Sequence, residues 1–389
     1  MKRVWMVVAL VLLMGILPVH AEAVELQISG KSALLMDVAT GTVLYETNAH
    51  EQLAPASVTK VMTMLLIMEA VDSGKIRWED TVTASEAAAA KGGSQVYLKV
   101  GETMTVEEMQ KSIAVSSAND SACAMAEHLA GSEAAFVEQM NARAAELGMT
   151  DTHFVNCTGL DDSPEAAQHR TSAHDIARMS RELMKNHPDI KKFTTIWMDT
   201  VRGGAFGLSN TNKLVRFYNG ATGLKTGFTS GAGYCLSATA EREGLELIAV
   251  VMGAEKSQDR FNTCKTLLDH GFASYALIRP ELGDGPAEVP VRLGTRETVS
   301  ARLSQAEGLL IDKSQRQSVT TEVTLEESVP APVSDGQRLG TLTVKAGEQV
   351  LAQIPLVAAQ GVERLTWADL FAKVLSRAAM AKQGVTAGK

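Results

Sequence analysis

Three short clusters carry side chains able to do acyl chemistry. In Ser57-Val58-Thr59-Lys60 a hydroxyl and an amine stand three residues apart. Residues i and i+3 face the same way on a helix, so the Lys60 amine can reach the Ser57 hydroxyl. The pair follows Pro55-Ala56 and opens the first long helical pattern, where a helix N-terminus favours developing negative charge. That is a nucleophile with its own base. Alone the motif is weak, because Ser is a common N-cap and Lys a common surface residue. Ser117-Ala118-Asn119 follows the apolar Ile113-Ala114-Val115 and precedes a helix, a place where Ser and Asn serve equally well as caps and turn residues. Lys225-Thr226-Gly227 opens a glycine-rich passage, Gly227-Phe228-Thr229-Ser230-Gly231-Ala232-Gly233, before a strand from Tyr234. In isolation it reads as a plain turn with an exposed lysine.

The elements that must hold these clusters suggest an α+β arrangement. A hairpin signal at Ala33–Met36 and Val43–Tyr45 precedes a helical middle rich in Ala, Met and Leu. From Val58 to Val71, residues Val61, Met64, Leu65 and Met68 fall at i, i+3, i+4 and i+7, one buried face of a helix. Further amphipathic helices fit Val106–Val115, Ser121–Leu129, Glu133–Leu147 and Ser172–Met184. Strand character returns at Tyr234–Ala240 and Leu245–Met252, followed by a helix pattern from about Arg260 to His270. Strands at both ends of a helical middle can share one sheet, early hairpin included. After Pro280-Glu281-Leu282-Gly283-Asp284-Gly285-Pro286, short alternating runs such as Val289/Val291/Leu293 and Leu342/Val344 predict a small all-β sandwich domain. From Leu365 to Arg377, Trp367, Leu370, Phe371, Val374 and Leu375 share one helical face. This amphipathic tail either caps the β domain, which the bare pattern favours, or lies in a membrane surface. The expected division is 1–23, 24–277, 278–361 and 362–389.

Composition narrows the partners. The 389 residues are 45% hydrophobic and 21% charged, with 31 Gly and 10 Pro, which excludes a disordered or collagenous chain. A net charge of -8 without a long basic run gives no footprint for nucleic acid. Lys2 and Arg3, the apolar stretch Val4–Leu17, Pro18 and Ala21-Glu22-Ala23 predict a secretory signal peptide cleaved near Ala23; an uncleaved anchor would need a longer apolar stretch. The widely spaced Cys123, Cys157, Cys235 and Cys264 are expected as buried free thiols, and no zinc spacing is present.

Ser-x-x-Lys, a Ser/Asn pair and Lys-Thr-Gly, in this order, form the motif set of the penicilloyl-serine enzymes. The conjunction is strong where each part is weak. From about Lys31 to Tyr275 the chain resembles the low-molecular-mass penicillin-binding proteins that act as D-alanyl-D-alanine carboxypeptidases, those like penicillin-binding protein 5. The resemblance extends to Leu53-Ala54-Pro55-Ala56, Thr152-His153-Phe154-Val155-Asn156, Gly159-Leu160-Asp161, Asn210-Thr211-Asn212-Lys213-Leu214 and Gly223–Tyr234. It implies a β-lactamase-like domain of antiparallel sheet and helical cluster. It also implies that Ser57 attacks the bond between the two terminal D-alanines of a peptidoglycan stem peptide, with Lys60 as base, Ser117 as proton relay and Asn119 holding the substrate amide. Lys225 and Thr226 would bind the terminal carboxylate, with Gly227 and Phe228 lining the substrate site and the backbone N–H groups of Ser57 and Phe228 as oxyanion hole. To act as base at neutral pH, Lys60 must lose basicity through burial and a neighbouring like charge, which Lys225 can supply. β-Lactams would acylate Ser57, no cofactor or metal is required, and the enzyme would work outside the cytoplasm, its tail on the outer face of the cytoplasmic membrane. Ala118 and Phe228 stand where the family usually has Gly and often His, which puts substrate preference rather than activity in question; Cys157 replaces a frequent Pro.

Three other readings compete. A class A β-lactamase adds a Glu that activates water, for which Glu165 lies in roughly the right region without supporting neighbours. A zinc peptidase built on His153, His169, His174 and Asp175 lacks a His-Glu-x-x-His helix. A catalytically silent binder of the same fold would be marked by loss of Ser57 or Lys60, and both are present.

Overall fold

The computed structural model describes residues 26–283, 287–304 and 308–372; the segment 1–23, expected to be a signal peptide, lies outside them. Five strands form an antiparallel sheet: β1 (Ser32–Asp37), β2 (Val43–Thr47), β3 (Ala221–Thr229), β4 (Gly233–Arg242) and β5 (Leu245–Ala254), in the order β2-β1-β5-β4-β3. The early hairpin therefore joins the late strands, with Ser32 opposite Met252 and Asp37 opposite Leu247. Alternation decides the two faces. Leu34, Met36, Ile248, Val250 and Met252 belong to the core under the helical cluster. Ala33, Leu35, Leu247, Ala249 and Val251 pack with Phe261, Cys264, Leu267 and Leu268 of the helix Ser257–Ser274.

The helical cluster comprises α1 (Lys60–Asp72), α2 (Val106–Ser116), α3 (Asn119–Ala130), α4 (Glu133–Glu146) and α5 (Ala173–Asn186), followed after β5 by α6 (Ser257–Ser274). Caps set several of their starts. Thr105 and Glu108 form a reciprocal capping box at α2, and the Ser132 and Ser172 hydroxyls accept N–H bonds at α4 and α5. α1 departs from the one-faced reading, because Met62 and Ile67 are buried as fully as Val61, Met64, Leu65 and Met68. A helix apolar all round runs through the interior, and here it forms the axis of the cluster.

Beyond α6, β6 (Tyr275–Ile278) pairs with β9 (Leu309–Asp312) and so ties the first part of the chain to the second. The second part holds β7 (Glu288–Arg292), β8 (Thr298–Leu303), β10 (Val319–Leu325), β11 (Val329–Pro330), β12 (Arg338–Ala346) and β13 (Gln349–Ala358). A sandwich of two separate sheets is not what forms: these strands pair in a single six-stranded sheet, β10-β12-β13-β8-β7-β11. Val289, Val299, Leu339, Leu342, Val344 and Leu356 nonetheless share one core. Ile278 of β6 and Leu309 of β9 pack against that core from outside the six-stranded sheet.

A helical turn begins at Trp367 and is described as far as Ala372. Trp367 is 89% and Phe371 68% exposed, so the described start of the tail does not cap the β domain; the remainder lies outside the described residues. No helix among the described residues is long and apolar enough to cross a membrane. All four cysteines are buried free thiols.

Candidate active site

Ser57 is half-buried in a 3-10 turn, Ala56–Thr59, that runs directly into α1. Ala56 takes φ 48°, a left-handed value that a Cβ makes unfavourable by roughly 1–2 kcal/mol. Packing holds it there. Gly159 (φ 80°) lies against the turn so closely that a Cβ would stand 1.9 Å from the Ala56 carbonyl oxygen. The same oxygen accepts the Thr59 hydroxyl at 2.8 Å.

Lys60 is completely buried, and its Nζ donates to Ser57 Oγ and to the Thr158 carbonyl, both at 2.9 Å. Burial lowers its pKa from 10.5 to about 7, against the opposing pull of the Asp120 carboxylate. Asp120 itself accepts the backbone N–H groups of Val96 and Leu98, which orders the segment beside Asn119. At neutral pH a large share of Lys60 is an uncharged amine within reach of the Ser57 proton, the condition for a general base. Burial is the chief cause, where the sequence suggests burial together with a like charge that Lys225 can supply. The repulsion falls on Lys225, held well below its ordinary value by burial first, then by Lys60 and Arg260.

Lys225-Thr226-Gly227 is not a turn. All three residues lie inside β3, and Lys225 is 1% exposed; the glycines that break the alternation hid the strand. Gly227 is there for close approach, since a Cβ would lie 2.6 Å from Pro55 O and 3.1 Å from Ser57 N. β3 thus abuts the turn that carries Ser57. The Gly227 carbonyl accepts Arg260 Nη1 at 2.8 Å, and a trans peptide points its next N–H the opposite way, so Arg260 fixes the direction of the Phe228 N–H. The Phe228 ring is 52% exposed and stacks on Tyr234 at 4.2 Å, with the Arg260 guanidinium 5.2 Å from the Tyr234 ring centre.

The Ser117/Asn119 cluster joins α2 to α3. Ser117 is buried at φ 62°, ending α2, and Asn119 opens α3. Asn119 Nδ2 donates to Gly92 O at 2.7 Å, while its buried Oδ1 has no partner among the described residues. Thr211 N–H donates to Val115 O at 3.1 Å, and the Thr226 hydroxyl donates to Thr211 Oγ1 at 2.7 Å. The end of α2 is thereby linked to β3. Together these contacts bring Ser57, Lys60, Lys225, Thr226 and Gly227 to one place, with Ser117 and Asn119 at its border.

Several residues here had no site role in the sequence reading. Thr158, Gly159 and Thr211 lie in or beside stretches that drew attention, but as flanks without a task. Arg260 sits in a helix with no spacing to betray it, and Asp120 directly follows Asn119 as an unremarked carboxylate. Conversely, Glu165 is exposed in a 3-10 turn, Pro164–Gln168, so it does not provide the buried Glu of a β-lactamase. The four residues of the zinc reading do not gather: His153 is exposed and bridges to Arg170 through its backbone, His169 contacts Thr59, and although His174 Nδ1 lies 3.5 Å from Asp175, His174 packs on the His50 ring and Asp175 accepts from Asp151 N and Thr152 Oγ1. Among the described residues the group with metal-like spacing is Glu69, Glu182 and His187, where Arg143 already bridges both carboxylates.

Comparison with known proteins gives the same picture. Residues 19–256 match the family model described as D-alanyl-D-alanine carboxypeptidase, and residues 281–364 the model of the penicillin-binding protein 5 C-terminal domain. The chain is 43% identical over 346 residues to the D-alanyl-D-alanine carboxypeptidase DacF of Bacillus subtilis (strain 168), covering 87% of each chain. The solved structure of penicillin binding protein 5 from Haemophilus influenzae aligns with TM-score 0.73 at 29% identity, over 87% of this chain and 98% of that one. The first part also aligns with penicillin-binding protein D2 from Listeria monocytogenes in its ampicillin-bound form, at TM-score 0.56 and 33% identity, over 64% of this chain and 99% of that one.

Proposed function

The chain belongs to the D-alanyl-D-alanine carboxypeptidase family, and we propose that it removes the terminal D-alanine from peptidoglycan stem peptides through an acyl-enzyme on Ser57. The observation that carries this reading is the buried Lys60 amine, 2.9 Å from Ser57 Oγ with a pKa near 7. Neutral Lys60 takes the Ser57 proton as Oγ attacks the carbonyl between the two D-alanines. Ser117 passes the proton to the leaving amine, D-alanine departs, and water then cleaves the ester.

The developing oxyanion lies between the backbone N–H groups of Ser57 and Phe228, each worth about 3 kcal/mol in such sites. Asn119 Oδ1, buried without a partner among the described residues, accepts an amide N–H of the peptide. Lys225 and Thr226 hold the terminal carboxylate, whose negative charge raises the depressed Lys225 pKa and keeps the amine protonated in the complex. A β-lactam offers the same amide followed by a carboxylate, so it acylates the same oxygen. Phe228, half exposed beside this site, presents an aromatic face in place of a titratable ring. Catalysis belongs to residues 24–277, and residues 278–361 form a β-rich support.

The reading is tested with the secreted form lacking residues 1–23. Brief exposure to benzylpenicillin gives a penicilloyl adduct on the peptide containing Ser57, and D-alanine is released from a pentapeptide. Because Lys60 must be neutral, the acylation rate constant rises with pH and levels off above about 7. Neither adduct nor release would leave a folded but silent protein. A rate that falls as pH rises through that range would remove Lys60 from the role of base.

The tail belongs to the same picture as a membrane-surface helix on the outer face of the cytoplasmic membrane. Its support is the exposure of Trp367 and Phe371 on the face that also carries Leu370, Val374 and Leu375 in the sequence. The mature chain co-sediments with anionic phospholipid vesicles, and a chain ending at residue 364 stays in the supernatant while releasing D-alanine from soluble pentapeptide at the same rate. Equal sedimentation of the two would refute the membrane role.

A further inference from the structure

The turn that carries Ser57 is held from behind by a histidine. Thr59 has one hydroxyl proton, which it donates to the Ala56 carbonyl at 2.8 Å. The Thr59 oxygen also lies 2.8 Å from His169 Nε2, so this second contact requires Nε2–H as the donor. On the other side of the ring the Val155 N–H donates to Nδ1 at 3.2 Å. Both contacts demand one neutral tautomer. The surroundings enforce it: the residue is 3% exposed and stands edge-on to Phe154 at 5.6 Å. Burial, then the charges of His153 and Arg170, lower its pKa from 6.5 to about 4.

We propose that His169 is a positioning residue for the nucleophile: its Nε2–H fixes the Thr59 hydroxyl, which holds the Ala56 carbonyl and so keeps the left-handed Ala56 and the adjoining Ser57 aimed at the substrate. Gly159 packs against the same carbonyl beside that hydroxyl, where a Cβ would stand 1.9 Å from Ala56 O and 2.7 Å from Thr59 Oγ1. The two together over-determine a backbone conformation that alanine does not favour. His169 touches neither substrate nor reacting atoms, and it lies outside all three catalytic motifs. The inference rests on Ser57 being the nucleophile.

The two halves of the ring can be separated by substitution. A glutamine at 169 offers an N–H near the position of Nε2, whereas an asparagine offers an oxygen near the position of Nδ1. His169→Gln thus keeps the link to Thr59, and His169→Asn keeps only the link to Val155. Acylation by benzylpenicillin is measured with noncovalent binding and the covalent step resolved separately, alongside melting temperature. In His169→Asn the covalent step slows by about 10²-fold, the scale of a small misplacement of reacting groups, with noncovalent binding unchanged, and His169→Gln recovers most of the rate. Thr59→Val slows it as much as His169→Asn, the double variant is no slower than either, and Thr59→Ser, which keeps the hydroxyl, stays fast. Equal rates for the Gln and Asn variants, whether fast or slow, overturn the proposal, as does a loss confined to melting temperature. Where the Asn variant does not fold, the Thr59 pair decides from the other end: equal rates for Val and Ser overturn the proposal. Failure of the unsubstituted protein to be acylated at all would instead strike the serine reading itself.

Discussion

Ser57→Ala gives a folded protein that neither releases D-alanine nor takes up penicillin covalently. The substitution removes the only atom that becomes acylated, and no other group inherits its place: Lys60 Nζ is buried and bonded to the Thr158 carbonyl. Activity should fall on the order of 10⁶-fold, the scale seen when the nucleophile of an acyl-enzyme hydrolase is removed. Stability should hardly change. The lost contact to Lys60 is worth about 1 kcal/mol, and the Ser57 turn has no side-chain cap to lose. Lys225, Thr226 and Asn119 are untouched, so reversible penicillin binding persists. Mass spectrometry, D-alanine release and thermal melting check the three parts, and a covalent adduct surviving in the variant would place the nucleophile elsewhere.

Lys60→Met separates activity from stability in the other direction. Loss of a general base removes about 10²–10⁴-fold of the rate, so acylation and D-alanine release collapse. The melting temperature should rise. A fully buried amine whose pKa falls from 10.5 to about 7 carries a net penalty on the order of 5 kcal/mol in its charged form. The sign is fixed by linkage: the folded state binds this proton less tightly than the unfolded chain, so stability is full above about pH 10.5 and is lost as pH falls toward 7. Methionine fills a similar volume without that penalty, less about 1–3 kcal/mol for leaving the Thr158 carbonyl unpaired. Melting curves between pH 7 and 10 should show a slope in the parent that the variant reduces. A variant melting well below the parent at pH 7 would mean that Lys60 is held by compensating charge, chiefly Asp120.

Much of this architecture is written in local pattern. The helices α2, α4 and α5 were legible because their caps and apolar spacing agree, and β4 and β5 because each is a strand-length run of small and apolar residues between turns, buried on both faces. Ser57 and Lys60 were legible because three residues on a helical turn bring them together whatever the rest of the chain does. β3 was not, since Gly223 and Gly227 remove the side chains that mark a strand, and the reason for Gly227 lies in Pro55 and Ser57, far away in sequence. The full burial of α1 depends on how many neighbours surround it, which no periodicity records. Arg260 and Asp120 act on backbone groups of distant segments, and His169 on the distant Thr59 hydroxyl. Such bonds leave no spacing behind. The single six-stranded sheet of the second part escaped for a similar reason, because strand patterns give the strands but not their partners.

The pairing of β1 with β5 also orders events in time. Ser32 finds its place opposite Met252, so the inner strand of the hairpin waits for most of the catalytic part to emerge. At about 5–20 residues per second of synthesis the interval is roughly 10–45 s, and the closure entropy of so long a loop must be met before the sheet repays it. The helical middle can collapse meanwhile, but Ser57 cannot meet Gly227 until β3 arrives. The nucleophile is thus assembled only after most of the catalytic part has been made, and a shorter chain, lacking β3 and the Arg260 that orders it, is inert toward both peptide and drug.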